Sequence, residues 1–197
     1  MSASADTRPA GRGVAAAALL GLTLLAGGCA QMPLGAPVAS LENIQRARVV
    51  ALQPLALGSF GPAADQERAL VDHSLRGSSI VPPQGSFAAY LRQTLETELA
   101  AAGLLDPAST TVVSATLLAS RVDAAVGEGR GMLAARFVHT RDGRTRYDRE
   151  LQAEGRWPSS FVGVEALPAA FNGYALLHRE LVGRLLADPD FRQAAAR

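Results

Sequence analysis

Three features predict a two-layer α+β sandwich, with about four mostly antiparallel strands packed by two amphipathic helices in the order β-α-β-β-β-α. From Ser86 to Gly103, Phe87, Tyr90, Leu91, Leu95, Leu99 and Ala102 recur at three- and four-residue steps, forming one apolar helical stripe. A second stripe of Ala170, Tyr174, Leu177, Leu181 and Leu185 runs within a helix from about Glu165 to Ala187. Between the two lie Thr110–Asp123, Met132–His139 and Thr145–Trp157, with Asp142-Gly143 between the last two as a strong hairpin signal. Two stripes and one apolar sheet face can bury one another only in layers.

The chain opens on a leader. Arg8 and Arg12 precede the apolar run Val14 to Cys29 (VAAAALLGLTLLAGGC), which ends in small residues against the only cysteine. That three-part layout is a secretory signal, too short and wrongly flanked for a membrane span. An unpaired thiol is a liability in an oxidising compartment, and its place at the end of the apolar run needs a reason. Leu25-Ala26-Gly27-Gly28-Cys29 resembles the lipobox of bacterial lipoproteins. The resemblance implies cleavage after residue 28 and acylation of Cys29, and two or three acyl chains anchor a domain durably. With Ala30 rather than Asp after the cysteine, it further implies sorting to the outer membrane.

Composition narrows the function. The 19 basic residues, all arginine, and the 18 acidic ones include Arg8, Arg12 and Asp6, so removal of the leader leaves a formally neutral chain. A neutral chain without a basic face argues against a nucleic-acid partner. No cysteine pair exists to staple the fold. The expected organisation is a signal peptide over 1–28, a lipidated Cys29 and flexible tether over 29–45, one periplasmic domain over 46–190, and a tail over 191–197.

The tether follows from Ala30 to Leu41, where Pro, Gly and small residues lack periodicity. Arg46 to Leu57 is read as strand one, at a sheet edge or ending at Pro54. Residues 58–85 form a long irregular connection, with a helical turn around Asp65 to Val71. Ser86 caps the first helix and Gly103 closes it. Gly127, Gly129 and Gly131 mark a turn before strand three. In strand four Tyr147, Leu151, Ala153 and Trp157 point to the core, and the intervening charged residues face water. Pro168 is placed in the first turn of the last helix, and Asp188-Pro189 ends it. The helical crossover puts strands one and two parallel in one sheet.

With the lipobox, the helix FAAYLRQTLETELAAAGLL, the Asp-Gly hairpin and the closing stretch WPSSFVGVEALPAAFNGYALLHRELVGRLLADPDF, the chain resembles a group of uncharacterised proteobacterial outer-membrane lipoproteins. In element order it is similar to ABC-transport auxiliary, YajG-type and LpoB-type lipoproteins. Those resemblances imply a non-enzymatic domain that binds a periplasmic partner or assists an envelope machine.

Signals for chemistry are weak. His73, His139 and His178 have no companion at metal-ligand spacing, so no metal and no cofactor is expected. The serines lack a nucleophile elbow, and Gly127-Glu128-Gly129-Arg130-Gly131 precedes a strand where a phosphate loop needs a helix. His178 is read as a residue at the margin of the helix stripe. The candidate partner contact is the long connection, through Arg76, Ser78, Ser79, Ile80 and Pro82, with Trp157 as core anchor or exposed hot spot and Phe161 beside it. The expected function is a lipid-anchored, non-catalytic binding or assembly lipoprotein on the periplasmic face of the outer membrane. An envelope hydrolase and a carrier of a lipid or hydrophobic ligand are the alternatives.

Overall fold

The computed structural model describes residues 31–49, 52–64, 74–76, 78–83 and 85–196. The leader, Cys29, the predicted turn at 65–71 and His73 lie outside them. In chain order the elements are β1 (Gln31–Pro33), α1 (Leu41–Val49), β2 (Ala56–Pro62), β3 (Ser74–Leu75), β4 (Ser78–Val81), α2 (Phe87–Ala102), β5 (Thr111–Asp123), β6 (Gly127–Arg141), β7 (Arg144–Ser159), α3 (Gly163–Ala187) and α4 (Pro189–Ala195).

The predicted sandwich is present. One sheet runs β2-β5-β6-β7, with β2 parallel to β5 at the edge and the remaining pairs antiparallel. On its inner face Val113, Ala115, Leu117, Leu133, Ala135, Phe137, Tyr147 and Ala153 are buried. Leu91, Leu95 and Leu99 of α2 and Tyr174, Leu181 and Leu185 of α3 complete the core. Asp142 and Gly143 carry the positive φ angles, 50° and 73°, that a two-residue primed turn requires. Ser86 accepts the Ala89 amide at the start of α2, and Gly103, at φ 74°, ends it.

Several expectations change. Strand one does not cover 46–57: residues 41–49 are helical and the strand begins at Ala56. Ser40 starts α1 by accepting the Ile44 amide. Glu42 pairs with Arg46 one turn on, and Asn43 and Ala47 face inward, a helical spacing that outweighs the β-branched end of the segment. The stretch read as tether is structured in part. Residues 31–33 pair in parallel with β4, Leu34 is buried, and the Tyr90 hydroxyl donates to the Gly35 carbonyl at 3.0 Å. Residues 58–85 include most of β2 and the hairpin β3–β4, which joins β1 in a second, three-stranded sheet.

Gly129 and Gly131 belong to β6 rather than to a turn, because they leave room for a neighbouring ring described below. Since α3 begins at Gly163, Pro168 falls in its second turn, where it withholds one amide from the ladder. The predicted tail is α4, with Asp188 accepting the amides of Asp190 and Phe191 at 2.9 and 3.1 Å, and Phe191 buried. Among the described residues no helix is long and apolar enough to cross a membrane.

Candidate contact surface

The sequence candidates meet at one end of the large sheet, and Arg76 gathers them. It stands in the two-residue turn between β3 and β4 at φ 50°, which turns the guanidinium across the ends of β5 and β7. Nε donates to the Ala124 carbonyl at 2.7 Å, Nη1 to the Phe161 carbonyl at 3.0 Å and Nη2 to Ser159 Oγ at 3.3 Å. A planar fork with several donors suits such a junction, and a lysine could not make it. Arg76 is therefore a staple between three turns, and a contact residue only through what remains of its exposed edge.

The other candidates divide by exposure. Phe161 is 81% exposed. Ser79 and Pro82 are half-buried. Ser78 and Ile80 are buried, because alternation along β4 turns them inward, so they are corrected from contact residues to packing residues. Trp157 packs against the core. An ideal Cβ on Gly129 or Gly173 would run into its ring, and one on Gly131 would crowd the ring while colliding with Leu177, so three glycines from β6 and α3 form the seat. This packing fits the core-anchor reading of Trp157, whose ring is half-buried.

Three apolar neighbours of Phe161 were missed. Val126 is 63% exposed, Val162 50% and Val164 78%. They stand in two stretches, Ala124–Gly127 leading into β6 and Ser160–Val164 leading into the first turn of α3, that contain no charged residue. Turns are ordinarily built from Gly, Pro, Asn, Asp and Ser, so AAVG and SFVGV between charged flanks were the available signal.

The two described histidines, His139 and His178, are structural. His139, in β6, is enclosed beneath α4, edge-on to Phe191 at 5.8 Å, and neither ring nitrogen has a hydrogen-bond partner among the described residues. Burial, and then Arg141 and Arg146, push its pKa down to about 4. His178 lies in the interior of α3, not at its margin. It stands edge-on to Tyr90 and Tyr174 at 4.8 and 4.9 Å, with Nδ1 3.0 Å from the Tyr174 carbonyl. The phenol of Tyr174 is pushed up by burial and meets Ser120 Oγ. Among the described residues no group of His, Cys, Asp or Glu could hold a metal.

Two of the clefts among the described residues border buried tyrosines. A cavity of about 600 Å³ beside Arg141, Arg146 and Arg149 is basic, yet Arg149 is paired with Asp188 and Asp190, and Arg141 donates to the Ala194 and Ala196 carbonyls. A second, of about 350 Å³, lies between residues 34–38 and α3 and is lined by Tyr90, Phe171 and Leu176.

The architecture so assembled is an open mixed sheet of four strands covered on one face by two long helices. No protein-family model matches the chain, and no curated protein matches it either. A solved Xanthomonas campestris protein of the DUF330 family is similar, with a TM-score of 0.52 at 16% identity, over 80% of this chain and 95% of that one. That likeness establishes a shared fold. A candidate lipoprotein from Caulobacter crescentus matches at TM-score 0.43 and 15% identity, over 77% of this chain and 99% of its own. A minor lipoprotein from Acinetobacter baumannii matches at 0.44 and 14%, over 72% and 95%.

Proposed function

We propose that this chain is a lipid-anchored lipoprotein of the outer membrane, facing the periplasm, whose folded part binds or helps assemble an envelope protein partner and catalyses no reaction. The observation that carries the reading is Cys29, placed where an apolar leader ends and only two residues ahead of the first strand. A thiol there has little use except as a point of acylation. The non-catalytic half is supported by the burial of His139 and His178, two of the three histidines.

The test has two parts. Metabolic labelling with an alkynyl fatty acid should mark the wild-type chain and leave Cys29→Ser unmarked, and a labelled Cys29→Ser would sink the anchor. Crosslinking the intact lipoprotein in its native envelope, followed by mass spectrometry, should capture one defined membrane or periplasmic complex. Capture of nothing but lipid and abundant porins would turn the reading towards a carrier of hydrophobic ligands. Arg76, Ser79, Pro82 and Phe161, with the half-buried Trp157, are the sequence candidates that remain reachable.

A further inference from the structure

We infer that the Arg76 end of the domain is a membrane-docking face, with Val126, Phe161, Val162 and Val164 inserted into the headgroup region of the bilayer that holds the anchor. The inference rests on the acylation of Cys29 proposed above. Three observations converge on it.

First, β1 runs parallel to β4, with Gln31 opposite Ser79. The N-terminal end of β1 therefore lies on the side of the β3–β4 turn, where Arg76 stands. Cys29 is two residues upstream, and two peptide units span at most about 7.6 Å. Acyl chains on Cys29 leave no room for a long tether, so this end of the domain is held at the lipid surface.

Second, Arg76 ties that end to the two uncharged turns through the Ala124 and Phe161 carbonyls. Gly127 and Ser159 are paired at the mouth of the β6–β7 ladder, so Val126 and Ser160 begin the two turns side by side. Anchor and apolar residues thus share one end of the molecule. Third, four of the eight exposed large hydrophobic residues among the described ones lie in these turns. Apolar side chains at a headgroup boundary add to the hold of an acyl anchor, and each methylene withdrawn from water strengthens it. Asp123, Glu128 and Glu165 flank the turns and limit the depth to the interface.

The docked orientation sets the β6–β7 hairpin upright. Its far turn, at Asp142-Gly143, stands roughly 45 Å from the membrane end, the length of a 15-residue strand. That distance supplies an internal control.

Acylation occupies the only native cysteine, so a new cysteine in the mature lipoprotein is its sole free thiol. The full acylated protein carrying Phe161→Cys, Val126→Cys or Arg144→Cys is labelled with an environment-sensitive fluorophore. It is then reconstituted in vesicles of phosphatidylethanolamine and phosphatidylglycerol. Insertion should shift the emission of the labels at 161 and 126 to the blue and expose them to quenching by spin-labelled lipid, while the label at 144 stays open to aqueous iodide. Mass spectrometry of the same samples reports the acyl chains on Cys29. Iodide access at 161 and 126 equal to that at 144, on a protein whose Cys29 is acylated, overturns the docking face and leaves the anchor standing. An unmodified Cys29 overturns both. Labels in the native envelope shielded from iodide and from spin-labelled lipid alike would assign the face to a protein and refute the inference.

Discussion

Gly173→Ala should destabilise the protein although it replaces a glycine inside a helix, and the cause can be isolated by a second substitution. A Cβ at this position would lie 2.6 Å from Cδ2 and 2.9 Å from Cζ3 of Trp157, distances that no real side chain keeps. The ring cannot retreat, because Gly129 and Gly131 bring the β6 backbone against it, with virtual Cβ positions 2.7 Å from Cε2 and 3.1 Å from Cη2. Overpacking of this kind costs about 1–3 kcal/mol. Alanine in place of glycine in α3 returns about 1 kcal/mol of helix propensity. The net loss in the wild-type background is therefore up to about 2 kcal/mol. In a Trp157→Ala background the collision is gone, and the same substitution should stabilise by about 1 kcal/mol. Urea unfolding of the four proteins of the cycle, followed by far-UV circular dichroism, reads this as a coupling of about 1–3 kcal/mol between sites 157 and 173. Equal effects of Gly173→Ala in both backgrounds would refute the seating of Trp157 and reopen its reading as a surface residue.

Three further outcomes are expected. Because the His139 pKa is pushed down to about 4 in the fold, against about 6.5 unfolded, the unfolded chain takes up the proton first, and up to about 3 kcal/mol of stability is lost as pH falls from about 6.5 to 4. His139→Leu should flatten that limb in urea midpoints measured at about pH 7 and about pH 5, and an unchanged slope would contradict it. Glu98, buried in α2, accepts the Ser40 amide at 3.0 Å and Asn43 Nδ2 at 3.0 Å, docking α1. Glu98→Ala should cost about 2–4 kcal/mol in thermal or urea unfolding and Glu98→Gln clearly less, since the amide oxygen still accepts. Arg76→Lys loses the fork across three turns and should cost about 1 kcal/mol, with faster amide exchange at residues 124–127 and 160–163 as its local signature; protection equal to wild type would argue against the staple.

The periodic segments could be read from the sequence because each carries its own boundary chemistry. The α2 stripe sits between a serine cap and a left-handed glycine, and the β6–β7 turn needs only Asp142 and Gly143. What escaped depends on partners remote in the chain. Helix α1 is short, and its inward Asn43 donates to Glu98 and to the Arg179 carbonyl, residues 55 and 136 positions away. Strand β1 has only β4 to pair with, and three residues offer no alternation to detect. Ile80 in the candidate contact shows the same limit. Hydrophobicity in a Gly- and Pro-rich connection suggested an exposed surface, whereas the second sheet turns that residue into the core. The glycines of β6 suggested a turn, but the strand carries them because Gly129 faces the Trp157 ring, Gly131 faces Leu177 and that ring, and Gly127 holds a positive φ.

The way β1 joins the small sheet has a mechanical side. A pull on the chain ahead of Gln31, directed back along the strand, loads the bonds between residues 31–33 and 79–81 together, in shear. Bonds sheared together yield at a higher force than bonds opened one at a time from an end. The adjoining Leu34 amide, held by the Val81 carbonyl at 3.1 Å, takes up the same load. Under the proposed anchoring, tension between the membrane and an envelope partner would thus reach the core through this shear geometry.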